Sequence, residues 1–264
     1  MFRIYTSAVF IFISVITFAQ TGLTVSPPRT YFESTLGETQ SKKIIITNPS
    51  KSSTLNLTAS LNDWEYDENG NNVISEPGSR PNSLAKWITL RPQAYFVLEP
   101  GESHELEIII TTPTESQAVP VHTSLLFITQ TNPVDSFTEK GAQIKVSVRT
   151  GVKLYHRFSE QKQFASFDFT DFIYDAENKL LKLQFQNNGN IWTDGTLETE
   201  LIEQASGKKV PLEEKIIYSM PGDTRHVRIP LPTEIKPGKY IATSTFSYGE
   251  TDTIKMAELT FTYE

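Results

Sequence analysis

The run from Ala142 to Arg157 constrains the fold of this chain most, because its apolar residues alternate with polar ones for longer than one strand normally lasts. It reads AQIKVSVRTGVKLYHR, and the apolar positions that share one face of an extended chain are Ile144, Val146, Val148, Val152 and Leu154. A typical strand has about 5 to 6 residues, so this run predicts a strand that projects past its own sheet or bends into a second one. Such an overhang offers unpaired backbone to another protein.

The remainder of the chain also has the pattern of an all-β protein. Fifteen prolines and thirteen glycines interrupt it, Thr and Ile are abundant, and almost no stretch has an apolar period of 3.6 residues. Turn signals separate short candidate strands at the regular spacing of a β-sandwich. The predicted strands are 23–27, 42–47, 55–64, 86–90, 95–98, 104–111, 119–129, 164–172, 180–186, 196–202, 215–219, 225–230, 239–248 and 256–263.

One element occurs in both halves of the chain. YFVLEPGESHELEIII at 95–110 and IIYSMPGDTRHVRIPL at 216–231 both consist of an apolar strand, a Pro-Gly turn, polar residues and an alternating strand. The polar stretch FSEQKQ separates the long run from the next apolar segment. We therefore predict two tandem immunoglobulin-like β-sandwich domains, at 20–157 and 164–264, joined by a linker at 158–163.

The first nineteen residues have the composition of a secretory signal peptide. One basic residue precedes a short apolar stretch, and the small residues Thr17 and Ala19 stand before a cleavage point at Gln20. No later segment has the roughly 18 apolar residues that a membrane span needs. The chain has no cysteine, so neither a disulfide framework nor a lipid anchor on cysteine is available. We expect a soluble, exported mature protein.

Charge and motifs argue against nucleic-acid binding and against catalysis. Removal of Arg3 with the signal peptide takes the formal charge from −7 to −8, which repels phosphate backbones. None of the four histidines lies in a metal-binding spacing, and no nucleophile elbow or phosphate loop occurs. The acidic string at Asp67, Asn69 and Asn71 lacks the Gly and Glu of a calcium loop and predicts a hairpin turn around Asn69-Gly70. We expect a binding protein without cofactor or metal, not an enzyme.

Two cations are candidates for a binding site. Arg29 follows an apolar strand and two prolines in LTVSPPRTYFE, and Lys153 occupies the polar face of the long run. If the two domains meet near residue 158, both cations lie close to the cleft between them, where together they can grip a carboxylate. The alternative is a pair of solvated surface cations.

Several segments, in order, resemble the periplasmic pilus-assembly chaperone family, which is PapD-like. They are VSPPRT, IIITNPS, DWEYDENGN, PQAYFVLEPGE and TGVKLYHR, and they lie mainly between Leu23 and Arg157. The resemblance implies two immunoglobulin-like domains set in an L. It also implies that Arg29 and Lys153 anchor the C-terminal carboxylate of an exported, pilin-like subunit in the periplasm, and it points to an outer-membrane usher as a further partner.

The same resemblance assigns a second role to the long run. In this family the strand lends alternating apolar side chains to an incomplete subunit, and the matching positions are Ile144, Val146 and Val148. In a regular strand Lys153 faces away from these three residues, because an odd number of residues separates it from Val148. The alternative is that the three side chains face the core of their own sandwich.

A different function class also remains open. Tandem sandwiches occur in structural or adhesive proteins of the cell envelope, and the second half of the chain reads as a generic immunoglobulin-like domain. On that hypothesis the protein is attached to the cell surface and exposed aromatics such as Trp192 and Tyr248 contact a polymer or another protein. Otherwise these two aromatics are core residues.

Overall fold

The structure is a computed structural model that describes residues 22–115, 117–138, 141–249 and 253–264. The predicted signal peptide at 1–19 lies outside these residues. Within them the chain forms β-strands throughout, and its one helical element is a short 3₁₀ turn at Ala85–Trp87. No helix in the described ranges is long and apolar enough to cross a membrane. The prediction of an all-β fold is confirmed.

The described residues up to Phe158 form twelve strands, of which ten make up the first sandwich. They are β1 (Thr24–Ser26), β2 (Arg29–Ser34), β3 (Thr39–Thr47), β4 (Leu55–Tyr66), β5 (Asn72–Ser75), β6 (Ile88–Arg91), β7 (Tyr95–Leu98), β8 (Ser103–Thr111), β9 (Val121–Gln130), β10 (Val134–Phe137), β11 (Gln143–Val146) and β12 (Arg149–Phe158). One sheet has the order β1-β3-β8-β6, and the other has the order β2-β12-β9-β4 with β5 and β7 both paired to β4. β10 and β11 form a separate two-stranded sheet.

Alternation along these strands directs every second side chain into one core between the two sheets. On one side Ile44, Ile46 and Ile108 are fully buried, and on the other Leu126 and Leu154 are fully buried. Burial of a side chain of this size contributes about 1.5–3 kcal/mol. This core therefore holds the second sheet, including β12, in a fixed position.

The second sandwich contains the remaining eight strands. They are β13 (Phe167–Asp175), β14 (Leu180–Asn187), β15 (Thr193–Glu203), β16 (Lys209–Pro211), β17 (Lys215–Ser219), β18 (Thr224–Pro230), β19 (Gly238–Tyr248) and β20 (Thr253–Tyr263). The sheet β13-β14-β18 faces the sheet β16-β15-β19-β20, in which β17 also pairs with β15. Phe167, Phe185, Phe246 and Tyr248 pack ring against ring in this second core.

The repeated strand, turn and strand occupies equivalent places in the two sandwiches. The turn from β7 to β8 and the turn from β17 to β18 each carry the chain from one sheet to the facing sheet. Gly101 and Gly222 have φ angles of 78° and 83°, a conformation that favours glycine. In each turn a carboxylate closes the loop: Glu102 accepts the N–H of Glu99, and Asp223 accepts the N–H of Met220, both at 2.8 Å.

An asparagine fixes each of these turns from the neighbouring strand end. The backbone N–H of Asn48 donates to the carbonyl of Glu102, and the N–H of Asn187 donates to the carbonyl of Asp223, both at 2.9 Å. The side-chain amide of Asn48 also donates to three carbonyls, whereas the buried Nδ2 of Asn187 has no partner among the described residues. The two sandwiches thus share the same asparagine-to-turn hydrogen bond, and the side-chain amide nitrogen of that asparagine is hydrogen-bonded in the first sandwich but, within the described residues, not in the second.

The long run is not one strand, and this corrects the sequence prediction in part. It divides into β11 and β12 at Ser147 and Val148. Gln130, the last residue of β9, causes the division: its N–H donates to the Val148 carbonyl at 2.9 Å and its Oε1 accepts the Val148 N–H at 3.2 Å. A side chain therefore replaces a backbone partner in the ladder. β11 leaves the sheet and, among the described residues, pairs only with β10, as the predicted overhang requires. Because the strand is interrupted, the face assigned to Lys153 relative to Val148 does not follow from its spacing.

The hairpin predicted around Asn69-Gly70 is present, with a longer loop than a two-residue turn. β4 and β5 pair from Tyr66 and Asn72 outward, and the Asp67 carboxylate accepts the N–H groups of Asn69 and Asn71 in the loop. β12 extends to Phe158, the first residue of the predicted linker. The linker at 158–163 stays a prediction.

Candidate functional site

Arg29 and Lys153 lie side by side at the junction of the two sandwiches. Strand β2 runs parallel to β12, and the two residues are register partners at the point where the pairing begins. The Lys153 N–H donates to the carbonyl of Pro28 at 3.2 Å. Two cations separated by more than a hundred residues in sequence are therefore neighbours in one sheet.

Lys153 is held by aromatic side chains. Its Nζ donates to the Tyr66 hydroxyl at 2.8 Å and lies 3.8 Å from the centroid of the Trp64 ring. Burial and the nearby cations Arg29 and Arg225 lower the pKa of Lys153 to about 7, while Asp223 acts in the opposite direction. A nearby anion would act in the same direction as Asp223, because it favours the charged form of the amine.

Arg29 reaches across to the second sandwich. Its guanidinium carbon lies 4.2 Å from the centroid of the Tyr218 ring, and its buried Nε has no hydrogen-bond partner among the described residues. Neither Arg29 nor Lys153 forms an ion pair with any Asp or Glu in the part of the chain that the structure describes. The pair thus has donor capacity for an anionic ligand.

The second sandwich contributes a third cation, Arg225, which the sequence analysis missed. Its side chain donates from Nη1 to the carbonyl of Tyr218 at 2.7 Å, and its guanidinium carbon lies 4.7 Å from the Tyr66 ring centroid. We call Arg29, Tyr66, Lys153, Tyr218 and Arg225 the cleft cluster. The repeat at 216–231 and the aromatic WEY segment were the only sequence signals for these additional members.

Three further aromatic side chains, Tyr31, Tyr155 and Trp192, pack against one another beside the cleft cluster. Tyr155 is 4 % exposed and stacks on Tyr31 at 5.0 Å between ring centroids, and Trp192 of the second sandwich packs against both at 5.4 Å. Burial raises the pKa of Tyr155 well above its usual range, so this hydroxyl stays neutral. Tyr248 is a core residue of the second sandwich, and Trp192 is half-buried. Neither aromatic forms the exposed platform that the adhesive alternative requires.

The three candidate donor residues stand apart from both cores. Ile144 is 40 % exposed and Val146 and Val148 are half-buried, and none of them belongs to a buried cluster. By contrast, Val152 further along the same run is fully buried in the first core. These three side chains therefore do not fill the interior of their own sandwich.

A free backbone edge leads from these residues to the two cations. β12 pairs with β9 along its length, but it pairs with β2 only from Lys153 onward. Within the described residues, the edge of 149–152 on the β2 side has no strand partner, and β11 pairs only with β10. The free edge ends at the place where Arg29 and Lys153 lie.

Two histidines also come together, although they are distant in sequence. His122 and His156 are register partners on β9 and β12, and both are buried with lowered pKa values of about 4 because burial disfavours the charged ring. His156 shares a hydrogen bond of 2.8 Å with the Ser34 hydroxyl. No group of three or more potential metal ligands occurs among the described residues.

Comparisons with known proteins give structural neighbours only. No family model matches the chain, and no curated protein matches it. Many similar solved structures are PapD-like pilus chaperones, and the similarity extends over about 90% of the chain.

Three of them illustrate this likeness. The CupB2 chaperone of Pseudomonas aeruginosa is 13% identical, with a TM-score of 0.45, over 89% of this chain and 98% of its own. In the complex of the chaperone CsuC with the tip adhesion subunit CsuE of Acinetobacter baumannii, the matched chain is 13% identical, with a TM-score of 0.49 and coverage of 90% and 97%. In the complex of SafA pilin with the SafB chaperone of Salmonella enterica, the values are 12%, 0.49, 92% and 96%.

Proposed function

We propose that this protein is a periplasmic chaperone that captures an exported, pilin-like subunit. The observation that carries the proposal is the position of Arg29 and Lys153: they adjoin each other in the cleft, lack an acidic partner among the described residues, and stand at the end of a free strand edge. In this proposal they anchor the C-terminal carboxylate of the client. A signal peptide at 1–19 directs export, 20–157 and 164–264 are the two domains, and an outer-membrane usher receives the loaded complex.

The free edge gives the bound client a direction. If the carboxylate of the client lies between Arg29 and Lys153, its preceding residues extend back along 149–152 and β11. The client segment then runs parallel to β12, in line with β2, which pairs parallel beyond Lys153. Parallel pairing of an added strand satisfies the backbone groups of this edge.

The exposed face of β11 supplies the apolar part of the interaction. Ile144, Val146 and Val148 enter the incomplete core of the client and become buried there. Stabilisation then comes from burial and backbone pairing, so no nucleotide is needed. The two anchor cations add charge-assisted hydrogen bonds, each contributing about 1.5–3 kcal/mol.

The double variant Arg29→Ala and Lys153→Ala tests the anchor. We expect it to fold normally and to lose client capture by about 100-fold or more, the equivalent of two charge-assisted hydrogen bonds. The matched control is Lys51→Ala with Lys239→Ala, which removes the same charge from two exposed positions. The readout is affinity capture of periplasmic chains on the tagged protein, followed by mass spectrometry and by titration of the identified client. Undiminished capture by the double variant rejects the anchor.

A further inference from the structure

Arg225 lies at the joint between the two sandwiches, where it contacts Tyr66 of the first and Tyr218 of the second. It follows the Pro-Gly turn at the start of β18 and is 8 % exposed. One of its nitrogens donates to the Tyr218 carbonyl, and its guanidinium also lies 3.9 Å from the Asp223 carboxylate. Burial of a cation costs free energy, so its contacts at this junction must compensate for the lost hydration.

The contacts across the joint are reciprocal. Arg29 of the first sandwich lies over the ring of Tyr218 in the second, and Arg225 of the second lies over the ring of Tyr66 in the first. Cation–π contacts strengthen when the partners are desolvated, and of these four side chains Arg225 is buried and the other three are partly buried. Arg225 also donates a hydrogen bond to the backbone carbonyl of Tyr218. A single side chain therefore contacts the Tyr66 ring of the first sandwich and the Tyr218 backbone of the second.

The same tyrosine links Arg225 to an anchor residue. Tyr66 accepts the hydrogen bond from Lys153 Nζ, and its ring centroid lies 4.2 Å from that nitrogen and 4.7 Å from the Arg225 guanidinium carbon. These two distances keep the charges within about 9 Å of each other, close enough to interact strongly in a partly buried site.

The β4–β5 hairpin holds this arrangement from outside. The carbonyl of Glu68 accepts the backbone N–H of His226 at 2.6 Å, which joins the hairpin loop to β18. Gly70 has a φ angle of 89°, and a Cβ at this position would overlap the guanidinium of Arg225. The loop thus leaves space for Arg225 only because residue 70 is a glycine.

We propose that Arg225 is a positioning residue that locks the two sandwiches together through Tyr66 and Tyr218 and so sets the spacing of Arg29 and Lys153 for the client carboxylate. The last part of this role rests on the proposed function. The lock itself does not, because its contacts exist without a client. A carboxylate that bridges Arg29 and Lys153 then meets a cleft of fixed width, not two independently moving domains.

Gly70→Ala tests the lock with a closely matched control. Gly101→Ala introduces a Cβ at a similar positive φ, but nothing lies within 4 Å of it. Since the chain has no cysteine, Ser41→Cys and Thr262→Cys can carry spin labels on exposed sites of the two sandwiches. We expect Gly70→Ala to shift or broaden the distance distribution measured by electron–electron double resonance and Gly101→Ala to leave it unchanged. Equal distributions for both variants and the wild type overturn the lock.

Arg225→Met and Arg225→Lys test the link to the anchor. The groups around Lys153 are Arg29, Tyr66, Arg225 and Asp223. Loss of the Arg225 charge should raise the Lys153 titration midpoint by about 0.5 to 1 unit, followed by NMR of labelled lysine, and Arg225→Lys should restore it. An unchanged midpoint in Arg225→Met overturns the link.

Binding completes the test. The probe is a short peptide of alternating Val and Thr with a free carboxylate, compared with its C-terminal amide. At about pH 6, where Lys153 is mostly protonated in both proteins, Arg225→Met should bind the free acid about 5- to 10-fold more weakly. Equal affinity there overturns positioning. If the wild-type protein does not prefer the acid to the amide, the proposed anchor fails. The spin-label distances then still decide whether Arg225 locks the two sandwiches, and the Lys153 midpoint still decides whether Arg225 acts on Lys153.

Discussion

Replacing Ile144, Val146 and Val148 together with serine distinguishes the two roles that these residues can have. If they donate to a client, their removal affects capture and leaves the free protein almost unchanged. If they fill their own sandwich, their removal destabilises the fold. The structure favours the first outcome, because Ile144 is 40 % exposed and the two valines lie outside both cores. We expect the free energy of unfolding to fall by less than about 1 kcal/mol.

The expected effect on capture is much larger. Full burial of a side chain of this size contributes about 1.5–3 kcal/mol relative to exposure. Because these side chains are already partly covered, we take about 1 kcal/mol for each on docking, or about 3 kcal/mol for the three. That corresponds to an affinity reduced by about 100-fold, measurable by titration of the captured client against the variant.

Val152→Ala provides the contrasting control from the same run. Val152 is fully buried in the first core, so this single change should lower the free energy of unfolding by about 2 kcal/mol or more and leave capture by the folded protein intact. Urea unfolding and client titration together give both quantities for each variant. A serine variant that loses several kcal/mol of stability, or one that captures the client with wild-type affinity, refutes the donor role.

Three further outcomes follow from buried polar groups. Burial lowers the pKa of His122 and of His156 from 6.5 to about 4. The free energy of unfolding should therefore fall as the pH drops from about 6.5 to about 4, because the unfolded chain takes up protons first. A urea midpoint that stays constant over this range would contradict this prediction. Binding of a carboxylate-ended peptide should weaken between about pH 6 and about pH 8, because the pKa of Lys153 is lowered to about 7 and the amine loses its charge over this range. Measured by fluorescence anisotropy, the Lys153→Arg variant should not show this loss of affinity. The same decline in that variant would exclude Lys153 as its cause. Asn48→Ala should lower the free energy of unfolding, measured in urea, by about 3 kcal/mol, and Asn187→Ala should lower it by about 1 kcal/mol. Of these two side-chain amides, that of Asn48 donates to three carbonyls, whereas the Nδ2 of Asn187 has no partner among the described residues. Equal losses of stability would refute this difference.

Most of the fold is predictable from the sequence, because each long strand has one buried face. The predicted strands at 95–98 and 215–219 coincide with β7 and β17, and the others differ from the observed strands mainly at their ends. The missed strands β2, β5, β10 and β16 have three to six residues. A short strand at the edge of a sheet has too few alternating positions to give a periodic signal.

The break in the long run had no local signal. Ser147 and Val148 continue the alternation of their neighbours, and the interruption comes from the side chain of Gln130, which is distant in sequence. The cleft cluster was hidden for the same reason. Tyr218 and Arg225 belong to one strand-turn-strand element of the second sandwich, whereas Tyr66 is distant in sequence, and only the packing of one sandwich against the other brings Tyr66 to them.

The charges of the cleft cluster explain why the proposed binding site coincides with the joint between the two sandwiches. Three cations converge on two tyrosines, and Asp223 is the acidic group that acts on Lys153 among the described residues. In the free protein this arrangement is costly, as the lowered pKa of Lys153 indicates. In the proposed function, the carboxylate of the client offsets that cost most effectively when it touches both Arg29 and Lys153, which requires a fixed spacing between them. In our proposal the aromatic contacts of Arg225 set that spacing and leave the charges of Arg29 and Lys153 free for the client, whereas a carboxylate in the place of Arg225 would neutralise them.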